Sequence, residues 1–231
     1  MTDVDGTLTQ RGDILNPVVL EAIARFEGSG VKVGFVSGRT LAGLESLALG
    51  ISGPIVAENG GVAKLKAGGG AIDLGYSRQP AVGALEKLKR LFPGAIEERE
   101  DNKYRSVDVV FRTHGINTDE LRTHLKDVEL LDSGYILHLM QKGISKGRTL
   151  TKLLPKMGNG TLSAMEVMVF GDSLTDLSLF EIFPHSVLVA NPRLPSEHTK
   201  MLRNAARYAS KLPFGEGFAQ VASHVLASRL A

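Results

Sequence analysis

Short apolar runs rich in β-branched residues alternate along this chain with stretches in which apolar positions recur every three or four residues. The runs are Val31 to Val36, Pro54 to Ala57, Val167 to Phe170 and Ser186 to Ala190. Short apolar strands separated by amphipathic helices predict a parallel sheet with crossover helices, an α/β fold. The first such helix is easy to delimit. Asn16 and Pro17 form a cap and first turn, Val19, Ile23 and Phe26 share one face, and Gly28 and Gly30 stop it. The segments Leu41 to Leu49, Lys146 to Leu154, Leu174 to Phe183 and Phe218 to Leu226 read the same way, the last with Phe218, Val221, Ala222 and Val225 in register.

Between Tyr76 and Met140 the texture changes. A helix with Leu85, Leu88 and Phe92 on one face precedes a charged loop from Glu97 to Arg105. Then come an alternating strand Val107 to Phe111, a short helix near Leu121 and Leu125, and strand-like runs at Val128 to Leu131 and Tyr135 to Met140. This is an α+β insert. Linkers at Gly75 to Pro80 and Gln141 to Ser145 divide the chain into a core of residues 1–75 and 142–231 and an inserted cap of residues 76–141. Gly68, Gly69 and Gly70 form the low-complexity patch, read as a flexible hairpin tip.

Composition narrows the function classes. The chain has 231 residues, 43% of them hydrophobic, which suffices to bury roughly 70–75% of the unfolded surface without a stabilising metal or disulfide. A formal net charge of +2 provides no long-range field toward nucleic acid or a membrane surface, so neither is an expected partner. With Cys 0, disulfides, thiolate metal sites and cysteine nucleophiles are excluded. The apolar runs are far shorter than the roughly 20 residues of a membrane span, and no export signal opens the chain. The expected location is the cytoplasm, and the expected state is a monomer or homodimer.

The chemistry concentrates in four places. Asp3-Val4-Asp5-Gly6-Thr7-Leu8-Thr9 opens the chain, Ser37-Gly38-Arg39 follows the Val31 to Val36 run, and Lys146-Gly147 opens a helix. Gly171-Asp172-Ser173-Leu174-Thr175-Asp176 follows the Val167 to Phe170 run. Each falls where a strand gives way to a loop or a helix begins, and the carboxyl ends of parallel strands share one crevice, so the four converge on one site. The glycine spacing at the start does not fit a helix-loop-helix calcium site, and neither dinucleotide nor phosphate-loop glycine patterns occur.

These four elements, in this order and spacing, resemble the motifs of the haloacid dehalogenase superfamily across nearly the whole chain. With Glu58-Asn59-Gly60-Gly61, Ser133-Gly134-Tyr135 and His138-Leu139-Met140, the chain is similar to the sucrose-phosphate-phosphatase-like branch, especially its archaeal-type phosphoglycolate phosphatases. The resemblance implies a Rossmann-like core with a parallel sheet flanked by helices, an α+β cap that selects substrate, and Mg²⁺-dependent hydrolysis of a small phosphorylated metabolite.

Residue chemistry agrees. Asp3 can attack phosphorus in line and form an aspartyl-phosphate, and Asp5 can protonate the leaving alkoxide and then take a proton from water. Asp5 must be protonated for the first half-reaction, and crowding by Asp3, Asp172 and Asp176 works in that direction. An ion touching its side chain opposes it, so the metal is expected at the Asp5 backbone carbonyl, as the resemblance also implies. An oxygen-only donor set of Asp3, Asp172 and Asp176 suits Mg²⁺. Lys146, Thr7, the Ser37 hydroxyl and the Gly38 backbone are candidates for the phosphoryl oxygens and for Asp3. Asn191 is a candidate for holding Asp172.

Other residues carry two readings. Arg39 is a ligand contact or a surface ion pair, and Glu58 and Asn59 contact substrate or cap a turn. His138 alternates with Ile136 and Met140 on a strand face and reads first as a packed, hydrogen-bonded histidine, second as a substrate contact. Arg105, Lys103 and His114 read as solvated. Two departures from the family pattern stand out: only Met1 and Thr2 precede Asp3, so much of the central strand is missing, and Thr175 occupies a position where many relatives carry Asn. The rival functions are a sugar-phosphate phosphatase (sucrose-phosphate or mannosyl-phosphoglycerate type), a phosphomannomutase-like enzyme that shares the opening motif but not Ser37-Gly38-Arg39, and a non-catalytic phosphate-ligand-binding relative.

Overall fold

The computed structural model describes residues 1–10, 14–48 and 50–229. One sheet carries the site. Strands β1 (Phe35–Val36) and β2 (Ile55–Ala57) pair in parallel, and β3 (Val62–Lys64) closes a hairpin on β2. A second sheet follows in the chain, of β4 (Ile96–Glu98), β5 (Val109–Thr113), β6 (Val128–Asp132) and β7 (Leu137–Gln141), antiparallel throughout in the order β4-β5-β7-β6. Strands β8 (Met168–Gly171), β9 (His185–Ala190) and β10 (Tyr208–Pro213) return to the first sheet in parallel.

The two halves of the first sheet meet across the N-terminal residues. Thr2 bridges both Phe35 and Phe170 in parallel. Its N–H donates to the Gly34 carbonyl at 3.0 Å and its carbonyl accepts from Val36 N at 2.9 Å. On the other side Asp3 N donates to Phe170 O and Phe170 N to Met1 O, both at 2.9 Å. The strand expected to be largely missing is therefore represented by three residues, which supply backbone pairing on both edges and leave Asp3 at the carboxyl end.

Helices α1 (Pro17–Gly28) and α8 (Phe214–Arg229) cover one face of this sheet, with Phe218 edge-on to Phe26 at 6.3 Å and to Phe170 at 4.9 Å. The α1 cap is as expected: Asn16 Oδ1 accepts from Val19 N at 3.0 Å. The short α2 (Leu41–Glu45) ends before the anticipated terminus, and Leu49 lies outside the described residues. Across the sheet, α5 (Lys146–Leu153), α6 (Leu177–Ile182) and α7 (Ser196–Ala205) bury Leu150, Leu153, Leu179, Phe180 and Leu202 against Val36, Val169 and Leu188. The second sheet packs α3 (Gln79–Leu91) and α4 (Thr118–Thr123) over Val109, Phe111 and Leu139.

Four differences from the sequence reading have physical causes. The Val31 to Val36 run is regular strand only at its last two residues, because its neighbour there is Pro54, which has no N–H to extend the ladder. The run predicted as Val107 to Phe111 begins at Val109, because the N–H groups of Val107 and Asp108 go to the Glu58 carboxylate. The charged segment Glu97 to Arg105 is not a plain loop: Ile96–Glu98 pairs with β5 and Glu100–Tyr104 forms a 3₁₀ turn. Strand β10 and helix α7 carry few buried positions, Leu202 being the one buried residue of α7, so neither produces a periodic stripe. The Gly68 to Gly70 patch does close a hairpin, with Gly69 N on Lys66 O at 3.2 Å and Ala63 bridged to Ile72.

Candidate active site

The carboxyl ends of the N-terminal stub, β1, β8 and β9 deliver Asp3, Ser37, Asp172 and Asn191 to one crevice, and the first turn of α5 adds Lys146. Ser145 starts that helix by accepting from Arg148 N at 3.3 Å, and Thr149 Oγ1 ties it to the Gly60 carbonyl at 2.7 Å. Carboxylate oxygens of Asp3, Asp172 and Asp176 lie within 4.8 Å of one another, and all three residues are buried. Lys146 Nζ donates to Asp3 Oδ1 at 2.7 Å and to Asp176 Oδ1 at 2.6 Å. Asp172 accepts from Thr7 Oγ1 at 2.7 Å and from Asn191 Nδ2 at 2.6 Å. The second Asp176 oxygen accepts from the N–H groups of Asp172 and Ser173, each at 3.0 Å. Gly6 adopts φ +86°, and a side chain there would run into the Asp172 carboxylate, so glycine is required twice over.

The electrostatics follow from burial. Loss of water raises the Asp3 carboxyl well above its ordinary value; Lys146 opposes this, while Asp176, Asp172 and Asp5 add to it. Burial, then the Asp176 charge, pushes Asp172 up to about 7 against the hydrogen bonds from Thr7 and Asn191. Burial alone lowers the Lys146 ammonium, but Asp176 and Asp3 more than compensate and raise it. Three carboxylates against one cation leave an excess of negative charge in a closed, oxygen-only donor set. That set fits a small hard cation such as Mg²⁺.

The remaining candidates take different places. The Asp5 carboxylate stands outside the acidic trio and faces Arg39, which grips it with Nε at 2.7 Å and Nη2 at 2.6 Å. The direct partner of the Asp5 side chain is thus the Arg39 guanidinium, although its charge is still felt by Asp3. Ser37 is buried, and the loop behind it is fixed by Asn59 N on Ser37 O at 3.0 Å and Glu58 N on Arg39 O at 2.9 Å. The Thr7 hydroxyl spends its proton on Asp172 rather than on a ligand. Thr175 Oγ1 pairs with Ser173 Oγ at 2.8 Å within its own loop.

The Glu58 carboxylate is taken up by backbone amides. The side chain is fully buried and accepts from Ser106 N at 2.9 Å, Val107 N at 2.7 Å and Asp108 N at 3.0 Å. Burial and the nearby Asp108 charge raise its carboxyl despite those bonds. Glu58 and Asn59 both sit at positive φ, 50° and 53°, a conformation non-glycine residues hold only when their surroundings insist. Arg105, read as solvated, is buried: Nη1 reaches Gly38 O at 3.0 Å and Asp108 Oδ1 at 2.8 Å, and Nη2 reaches Asp101 at 2.9 Å. His138 is buried with Nδ1 2.8 Å from Asp108 Oδ2. Lys103 and His114 do remain at the surface, the latter against Glu97. Asp108 escaped the sequence reading, although a carboxylate inside the apolar run Val107-Asp108-Val109-Val110 was a visible signal of a buried partner.

Comparison with known proteins gives one consistent set of matches. The family described as haloacid dehalogenase-like hydrolase matches residues 1–73 and 82–193. A phosphoglycolate phosphatase of Methanoculleus marisnigri is 32% identical over 228 residues, covering 95% of this chain and 93% of that protein. A phosphoglycolate phosphatase of Methanothrix thermoacetophila is 32% identical over 234 residues, covering 98% and 96%. A Thermoplasma acidophilum protein of known structure matches with a TM-score of 0.82 at 26% identity, covering 96% of this chain and 95% of that one.

Proposed function

The chain belongs to the haloacid dehalogenase-like hydrolase family and is a phosphatase, and from that premise we propose that it hydrolyses phosphoglycolate through an aspartyl-phosphate on Asp3. The observation that carries this is the buried trio of Asp3, Asp172 and Asp176 bridged by Lys146. An Asp3 oxygen forms the new bond to phosphorus while the bond to the glycolate oxygen breaks. Lys146 holds Asp3 by one oxygen, orienting the other, and offsets charge on the phosphoryl group. Ser37 and the Gly38 N–H orient the phosphoryl oxygens. Asp5 gives its proton to the departing alkoxide and recovers one from the water that cleaves the acyl phosphate, exchanging its Arg39 partner to do so. Asp3, Asp172 and Asp176, with the Asp5 backbone carbonyl, would hold Mg²⁺, which supplies the positive charge that lets two anions meet.

In this reading residues 1–75 and 142–231 are the catalytic core, and residues 76–141 are a cap that excludes water and selects the substrate. The enzyme works in the cytoplasm, as a monomer or homodimer, on a free small phosphorylated metabolite. Among the described residues no helix is long and apolar enough to cross a membrane. The test is phosphate release from phosphoglycolate and a panel of sugar phosphates, with Mg²⁺ or chelator, on the wild type and Asp3→Asn. Phosphoglycolate turnover that disappears with chelator and in the variant is expected. Retained activity in Asp3→Asn, or an isomerised sugar phosphate without released phosphate, overturns it.

A further inference from the structure

Where β7 meets the loop after β1, a second group of polar side chains gathers around Gly38. The Asn59 side chain is 1% exposed, and its Nδ2 is fully buried without a hydrogen-bond partner. Beside it stands His138, 3% exposed, and both crowd Gly38: a Cβ on that glycine would lie 3.0 Å from Asn59 Nδ2 and 3.1 Å from His138 Cε1. A buried amide N–H without an acceptor is costly and calls for a group that the folded chain alone does not supply.

His138 is not loosely held. Its Nδ1 is bound to Asp108, which also receives Arg105 Nη1 at 2.8 and 3.1 Å, and that same nitrogen donates to Gly38 O. Burial alone would push the Asp108 carboxyl up, but the hydrogen bond and charge of His138 together with Arg105 hold it below its ordinary value. Asp108 is thus an acceptor only, so Nδ1 carries a proton and Nε2 is the ring atom left for another partner. This is the arrangement by which a carboxylate fixes the tautomer and angle of a working imidazole.

We propose that Asn59 and His138 receive the carboxylate of the substrate, with Asp108 and Arg105 as the positioning residues that set His138 against Gly38. This rests on the phosphoglycolate reading above and extends it to the non-phosphorylated end. A carboxylate offers two acceptor oxygens, one for the unpaired Asn59 amide N–H and one for the side of the site that His138 lines, whereas a hydroxyl tail offers one. Ser37, assigned to the phosphoryl oxygens, adjoins Gly38, the residue that Asn59 and His138 crowd, so a ligand held at both ends is a short phosphorylated acid.

The experiment compares kcat and KM for phosphoglycolate and for its neutral amide, phosphoglycolamide, in the wild type, His138→Gln, Asp108→Asn and Asn59→Ala, with circular dichroism confirming the fold. The wild type is expected to favour the acid by roughly 10-fold to 100-fold in kcat/KM, mainly through KM, and each variant to reduce that preference toward one. A preference that survives in the variants, or equal losses on both substrates, overturns the proposal. Should Asp108→Asn fail to fold, His138→Gln and Asn59→Ala decide. A wild type that cleaves both substrates equally sinks the carboxylate site while the phosphoglycolate reading stands; one that cleaves neither sinks both.

Discussion

Lys146 is 2% exposed and touches two carboxylates of the trio, so its charge is a direct counterweight to them. Replacing it by Met leaves buried carboxylates uncompensated, and breaking a buried pair in this way costs about 3–5 kcal/mol. Lys146→Met is expected to lower Tm and to lose phosphatase activity; an unchanged melt in chelator would contradict the geometry. The same crowding sets a pH dependence. In the folded protein Asp3 and Asp172 have raised values, Asp172 about 7 against an ordinary 3.8. A raised folded value means stability that is full below the unfolded value and declines as pH climbs through the folded one. Without a divalent ion the protein therefore loses stability between about pH 4 and pH 7 from this source. Because the metal competes with those protons, the Tm increment from Mg²⁺ should be larger at pH 8 than at pH 5. Equal increments would show that the trio is not where the ion binds. At this scale the sequence was informative wherever a charged residue sat at a strand end: Asp3, Asp172, Asp176 and Lys146 could be brought together on paper. The orientation of a side chain could not. Thr7 serving Asp172, Asp5 serving Arg39, and Glu58 turning toward three backbone N–H groups depend on tertiary neighbours that no local spacing encodes.

Two elements hold the site in place. The first is the three-residue stub between β1 and β8. Thr2→Pro removes the N–H that pairs with Gly34 O and is expected to cost about 1–3 kcal/mol, roughly 2–12 °C in Tm, with a loss of kcat as Asp3 loosens. A neutral Thr2→Pro would mean that this pairing contributes nothing. The second is the Glu58 loop, which fastens β2 to the start of β5. Glu58→Ala strands the N–H groups of Ser106, Val107 and Asp108, and a drop of about 3 kcal/mol is expected by denaturant melt, with Glu58→Gln recovering part of it. Helices with strong caps were readable in advance: α1 starts at Pro17 behind Asn16, and α5 at Lys146 behind Ser145. Helix α7, which buries only Leu202, and the polar edge strand β10 were not, since burial is what leaves a periodic trace. The start of β5 was misjudged for a different reason, because a carboxylate from a distant loop had claimed its first amides.

On the scale of the whole molecule, the first sheet gathers the acidic trio at its carboxyl edge while Arg105 and His138, carried by residues that join or belong to the second sheet, reach the Ser37 loop. Residues of both sheets thereby meet at one loop, and the α/β pattern with an α+β insert was legible because it is written in alternating strand and helix periodicity. The central claim is that Asp3 becomes phosphorylated. The direct measurement is an acid quench during phosphoglycolate turnover with Mg²⁺, borohydride reduction of any acyl phosphate, and peptide mass spectrometry. The reductive tag should fall on Asp3 alone and be missing from Asp3→Asn and from enzyme without substrate. Turnover with no tag on Asp3, or a tag on another carboxylate, contradicts the account.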